Sequence, residues 1–213
     1  SCIDLGEMIK NKGHRGMQNF INFGKEAGAS QTHPHSHTVE RPNMMTWESD
    51  EIEIVAINSL NKLHDPFEEY MKKMRDSNHF IFENDVVFII APFAPSYPDQ
   101  VDIYPKRRIR NVLDLTDRNN DISNFEREVL IKSILGVFHA LRDRRGVTDF
   151  NFGIHQNDFN SNGSVYRLHF HIFPRNKNKL GGLETLFGGK VVSVDPELTA
   201  KELKEHYSIP YNN

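Results

Sequence analysis

VYRLHFHIFP, residues 165–174, alternates along its length: Leu168, Phe170 and Ile172 point one way, and Arg167, His169, His171 and Phe173 the other. This period describes a strand with an apolar face on a core and a second face bearing histidines. Upstream, DFNFGIH at 149–155 and the polar loop NDFNSNG make it the second strand of an antiparallel hairpin. A long helix is predicted ahead of the hairpin. Ser123 and Glu126 have capping-box spacing, Phe125, Val129, Ile134, Phe138 and Leu141 would face inward, and Gly146 lies past the helix end. HFIFE, Asn84-Asp85 and VVFIIAPF read as an earlier hairpin whose second strand is apolar enough to be buried on both faces, and VDIYPKR as the next strand. GGLETLFGG and a terminal helix from about Pro196 close the chain. The fold class is α+β, an antiparallel sheet with helices packed on one face.

The first third of the chain is less regular. Residues 3–12 form an amphipathic helix broken by Gly13, and Met17 to Phe23 alternate weakly as a strand. GASQTHPHSHTV follows at 28–39. If that run is extended, His33, His35 and His37 lie on one face about 7 Å apart in succession, with Pro34 at an edge or bulge. Residues 58–76 have helical spacing at Leu60, Leu63, Phe67, Tyr70, Met71 and Met74, with a restart at Asp65-Pro66. FINFG before the first histidine run is echoed by FNFG before the second, as a duplicated unit with an incomplete first copy would produce.

Composition narrows the function classes. Over 213 residues the formal net charge is −3 with both signs interspersed, so no basic field advertises nucleic acid; the cluster at Lys106, Arg107, Arg108 and Arg110 reads as a solvated loop. No apolar run approaches the roughly 20 residues of a membrane span, and the start does not read as a signal peptide. A single cysteine, Cys2, fits a reducing compartment and removes thiolate metal sites from consideration. A soluble, cytoplasmic protein with no nucleic-acid or membrane partner is expected. Eleven histidines are the compositional oddity.

An imidazole with one free ring nitrogen can attack phosphorus without first losing a proton, and the resulting phosphoramidate is a good leaving group. Neighbouring histidines can fix its tautomer and donate to developing charge. Two other readings of His33, His35 and His37 stay open on the residues alone. They could together hold a hydrolytic zinc ion, or belong to a module that binds a nucleotide or metal without turning it over.

NFGKEAGASQTHPHSH at 22–37 resembles the active-site motif of the galactose-1-phosphate uridylyltransferase branch of the histidine-triad (HIT) superfamily. APFAPSYPDQ, the Gly-Ile-His at 153–155, LHFHIFPR at 168–175 and GGLE with its Pro-Glu-x-x-Ala helix are similar to the second half of the same proteins, in the same order. The resemblance implies a HIT-like sheet built from two repeats. Residues 1–60 would be a partial first repeat carrying HPHSH, 61–78 a helical connector, and 79–213 a complete second repeat with its C-terminal helix. It also implies transfer of a nucleoside monophosphate from a nucleotide sugar or dinucleotide, through a covalent nucleotidyl-His35 intermediate, to sugar phosphate, phosphate or water. His33 and His37 would flank the nucleophile, with Asn22, Gly28 and Ser30 lining the phosphate site.

The named transferases carry glutamine where this chain has His37, a titratable donor, so the hydrolase and phosphorylase branches are alternatives. Glu184 aligns with a hexose-contacting glutamate, beside Leu183 in place of an aromatic. His155, His169 and His171 match a structural divalent-metal site, completed by Glu51, with Glu48 as the fallback; three imidazoles and a carboxylate suit one zinc or iron ion. A second zinc site of some relatives needs upstream cysteines that this chain lacks. The resemblance also admits a homodimer. It places base- and ribose-binding residues ahead of Ser1, which implies a trimmed or processed chain, or a second subunit supplying that surface.

Overall fold

The computed structural model of the chain describes residues 1–41, 65–115, 121–160, 166–176 and 181–209. Its centre is a seven-stranded sheet of β1 (Gly16–Phe23), β2 (Ser36–Arg41), β3 (Phe80–Glu83), β4 (Val87–Ile90), β5 (Val101–Pro105), β6 (Phe150–His155) and β7 (His169–Pro174). The strand order is β2-β1-β6-β7-β5-β4-β3, and every neighbouring pair is antiparallel. The helices are α1 (Cys2–Asn11), α2 (Pro66–Arg75), α3 (Asp121–Arg145), α4 (Gly182–Phe187) and α5 (Pro196–His206). The α+β, HIT-like antiparallel sheet expected from the sequence is present, but its helices are not confined to one face: α2 packs on the face opposite α3 and α5, because β4 and β5 carry apolar side chains on both sides.

Local chemistry sets these boundaries. Ser1 and Asp4 form a capping box at the start of α1. Asp65 caps α2 by accepting from the Phe67 N–H, and Pro66 takes the first helical position, where a missing N–H costs nothing. The Asn84 side chain accepts from both the Val86 and Val87 N–H groups and so closes the β3–β4 hairpin. Gly146, at φ 63°, ends α3 in the left-handed region.

Two residues of the predicted long helix sit differently. It begins at Asp121, two residues ahead of the expected Ser123 cap. Its buried stripe runs through Leu130, Ser133, Val137, Ala140 and Leu141; Phe125, five residues before Leu130, lies about 140° around the helix from it and is 59 % exposed. The extended histidine run also changes. Strand β2 begins only at Ser36, so His33, Pro34 and His35 approach it as irregular chain and Pro34 withdraws no ladder hydrogen bond.

The main core joins one sheet face to the helices: Val87, Ile89, Val101, Ile103, Phe170 and Ile172 from the strands meet Val137 and Leu141 of α3 and Leu203 of α5. Phe88, Ile90 and Tyr104 project from the other face onto Met71, Phe67 and Tyr70 of α2. Strand β4 is therefore buried on both sides, as its apolar run predicts. Helix α2 is positioned by Arg167, a buried side chain whose guanidinium meets Asp65 and, at 3.0 Å, Glu68. At its other end Arg75 pairs with Glu83 at 2.6 Å.

Candidate functional site

The histidines lie on the sheet face opposite α3 and α5, in two groups. In the register of β6 and β7, His155 opposes His169 and Gly153 opposes His171, so alternation brings all three imidazoles to one face. The three ligand atoms lie within 4.8 Å of one another, and the ring centroids are 4.2–5.0 Å apart. In a tetrahedral metal site such nitrogens stand about 3.3 Å apart, a distance that small ring rotations would reach. His169 and His171 are buried and His155 is half-buried.

Each buried ring is held by its Nδ1. That of His169 donates to the Arg167 carbonyl at 2.8 Å, and that of His171 donates to Asp102 Oδ1 at 2.7 Å. A carbonyl and a carboxylate can only accept, so in the neutral rings Nε2 carries the lone pair. This is the arrangement that outer partners impose on metal-ligating histidines. Asp102 is itself ordered: Gln100 Nε2 donates to Oδ1 at 2.9 Å, and the Ser96 N–H fixes Gln100. Burial pushes the Asp102 carboxyl up, but His171, Gln100 and His169 outweigh burial and hold it below the ordinary carboxylate range. Tyr104 stacks on His169 at 5.4 Å, and Phe173 on His171 at 5.5 Å. A cleft of about 530 Å³ opens beside these rings, walled by Phe67, Tyr70 and Phe93. Burial, with the Asp102 charge nearby, pushes the Tyr70 hydroxyl up to about 12, so it stays protonated.

Asp102, Gln100 and Arg167 were not singled out from the sequence. The signal was available for Asp102: a carboxylate inside the apolar strand VDIYP is a buried polar group that needs partners. Glu51 and Glu48 lie outside the described residues.

The second group follows from β1 and β2. Phe20 opposes His37, and their rings stack at 4.8 Å with 14° between planes. Phe20 also opposes Gly153, so His37, Phe20, Gly153, His171 and Asp102 form one row across five strands. Both histidine groups therefore share a face. The His35 ring lies 4.8 Å from that of His37 and 5.4 Å from that of His33, bringing the three together although β2 does not extend to His33. His35 Nδ1 donates to the His33 carbonyl at 3.0 Å, the same bond that His169 makes two residues back along its own chain. Nε2 then carries the lone pair, and His35 is half-buried.

Asn22 is the next residue of β1 on this face after Phe20. One step beyond the bridged pair Ile21–Ser36, the register brings it beside His35. Its side-chain oxygen accepts from Asn151 Nδ2 at 2.8 Å, and the same amide donates to the Ala27 carbonyl at 2.9 Å. The segment that follows turns sharply. Gly24 and Gly28 have φ of 86° and 79°, and Asp149 Oδ1 accepts from the Glu26 N–H at 3.0 Å. A Cβ on Gly24 would stand 2.0 Å from that carboxylate oxygen, so glycine is required twice over. The Gly28 N–H donates to the Lys25 carbonyl, which makes this glycine's contribution its left-handed backbone. Ser30 is exposed at the end of the turn. Glu184 stands apart, beside a cleft of about 190 Å³ lined by Ser96, Tyr97 and Lys190. Tyr97 packs on Phe173, which opposes Asn151, so this cleft continues the row through Asn22.

Residues 73–178 match the HIT domain family. A galactose-1-phosphate uridylyltransferase from Thermotoga maritima is 28 % identical over 200 residues, covering 87 % of this chain and 58 % of that protein. An ADP-glucose phosphorylase from Arabidopsis thaliana is 27 % identical over 195 residues, covering 89 % of this chain and 51 % of that protein. A solved uridylyltransferase has the same fold, with a TM-score of 0.79 at 24 % identity over 96 % of this chain and 64 % of that one. The antiparallel sheet with histidines on the face opposite α3 and α5 is thus a HIT fold, and the chain belongs to the HIT superfamily. Within it, the chain falls in the galactose-1-phosphate uridylyltransferase-like branch. It spans about half the length of the curated relatives it matches. No helix among the described residues is long and apolar enough to cross a membrane.

Proposed function

We infer that the chain is an enzyme that transfers a nucleoside monophosphate through His35. The observation that carries this reading is the bond from His35 Nδ1 to the His33 carbonyl, which commits one ring nitrogen as a donor and leaves Nε2 nucleophilic. Nε2 attacks the α-phosphorus of a nucleotide sugar or dinucleotide; an N–P bond forms as the P–O bond to the leaving phosphate breaks, and that oxygen takes the electron pair. The acceptor oxygen then attacks the same phosphorus, the N–P bond breaks, and the His35 ring returns to its neutral form. With water as acceptor one proton is released, and His37, whose ring lies 4.8 Å away, is placed to take it. Asn22, Gly28 and Ser30 would face the phosphate, and Glu184 the sugar or acceptor.

The identity of the acceptor turns on His37. A titratable donor in place of an amide suits phosphate or water, and the similarity to an ADP-glucose phosphorylase favours phosphate as the second reading. His155, His169 and His171, with Glu51, would hold one zinc or iron ion. There it would tie β6 to β7 by accepting the Nε2 lone pairs of the buried imidazoles, a structural function.

The reading is tested by incubating the protein with ADP-glucose or UDP-glucose labelled in the α-phosphate, quenching in alkali, and looking for an acid-labile protein adduct. The label is expected on the wild type and absent from His35→Gln. Label persisting in that variant would reject His35 as the nucleophile, and turnover abolished by chelation with no adduct would favour a zinc hydrolase.

A further inference from the structure

We propose that Asn151 is a positioning residue that sets which end of the Asn22 amide faces substrate. The argument starts from the Ala27 carbonyl, which can only accept a hydrogen bond. The Asn151 side-chain atom 2.9 Å from it must therefore be nitrogen, which fixes the orientation of the Asn151 amide. The second hydrogen of that NH2 group meets Asn22 at 2.8 Å, so the Asn22 atom there must be the carbonyl oxygen. Asn22 thus turns its oxygen toward β6 and carries its own NH2 on the other side, toward the chain entering β2 at His35. Two asparagines and one backbone carbonyl form a chain with a single self-consistent arrangement, and its outer end is a donor. A donor is what the non-bridging oxygens of a phosphate require. The inference rests on the reading of Asn22 as a phosphate ligand.

Both anchors come from around the start of β6. Asp149, just ahead of β6, accepts from the Glu26 N–H and Asn151 within it donates to the Ala27 carbonyl, so the turn between β1 and β2 is held by two side chains from one short stretch of chain. Nothing about Asn151 alone in the sequence marks it; its importance appears only once β1 and β6 pair in the register that sets Asn22 opposite Asn151.

The test is a double-mutant cycle on the full chain. Asn151→Asp keeps the side chain's size but replaces the donor by acceptors, so Asn22 must turn its NH2 inward and show oxygen to the phosphate. Adduct formation from labelled ADP-glucose or UDP-glucose is expected to slow on the order of 10²-fold, the loss typical of one preorganised donor. In an Asn22→Ala background the same change is expected to slow it at least about tenfold less, because only the lost bond to the Ala27 carbonyl then remains to be felt. Equal effects in the two backgrounds would overturn the proposal, since a merely structural residue behaves additively. A second measurement needs no turnover: in the wild type the Asn151 side-chain NH2 protons are expected to exchange at least about tenfold more slowly than those of an exposed asparagine. Exchange at the exposed rate would overturn the proposal even in a fully active protein. If no adduct forms on the wild type, the transfer reading fails while the exchange measurement still decides the orientation of Asn22.

Discussion

Replacing Glu83 by glutamine tests whether a charge cluster remote from the histidines holds α2 over their face. Glu83 sits at the end of β3 and receives Arg75 of α2 in a bidentate pair, at 2.6 and 2.8 Å, and Lys106 at 2.8 Å. The Arg75 bond, followed by Lys106, draws the Glu83 carboxyl down from 4.5 to about 2 against the opposing effect of burial. A shift of that size corresponds to about 3.4 kcal/mol if all of it reported folding. Because the Arg75 side chain is 44 % exposed, solvent screens the pair, and about 1–2 kcal/mol is the expected net. The folded-state value is depressed, so the stabilisation is complete above pH 4.5 and drains away as pH falls toward 2. Urea denaturation of the wild type and Glu83→Gln at pH 7, 4.5 and 3 checks this. The variant should be less stable by about 1–2 kcal/mol at pH 7, and the gap should narrow by pH 3. A gap independent of pH would show that the cost is lost packing and that the charge cluster contributes nothing.

Further expectations concern the histidine face. Asp102→Asn, which removes the carboxylate from His171 Nδ1, should weaken zinc or iron binding by about 10- to 100-fold, measured by competition with a chromophoric chelator. His169→Ala should abolish a metal content near one equivalent in elemental analysis, whereas unchanged content would move the site elsewhere. Gly24→Ala should cost about 1–3 kcal/mol in denaturant unfolding, since the new Cβ meets both a left-handed backbone and the Asp149 carboxylate. His37→Gln should slow discharge of the labelled adduct to water by about 10²-fold while leaving its formation less affected, as expected of a lost proton acceptor; equal slowing of both steps would contradict that role.

The strands and hairpins were legible because each carries its own local signal. Alternation marks β7, the Asn84-Asp85 pair marks the β3–β4 hairpin, and Asp65-Pro66 marks the start of α2. What sequence could not show depends on how the elements meet. Phe125 has the right spacing for an inward face of α3, yet the stripe that packs is chosen by the sheet beneath, and it passes through Leu130 and Val137. Helix α2 reads as a packing helix, but only the pairing of β4 and β5 reveals that its aromatic side covers the face of His169. The histidine groups were legible from His-x-His spacing, whereas the carbonyls that orient His35 and His169 were not, since backbone acceptors leave no mark in a sequence.

The FINFG and FNFG echo fared differently. Hairpin register sets His155 opposite His169 and carries Asn22 to His35, so geometry equates Asn22 with His155, four residues from the Asn151 that the letters pair with it.

The bond from a histidine Nδ1 to the carbonyl two residues back occurs at His35 and again at His169, with a histidine supplying the oxygen in one case and an arginine in the other. The proton's place on each imidazole is therefore decided by main-chain atoms, which every amino acid brings. Positions 33 and 167 can drift through evolution without unsettling the protonation of the ring downstream. An alanine at 33 would for the same reason silence that residue's own imidazole while keeping its neighbour poised, so the two contributions of one residue can be measured apart.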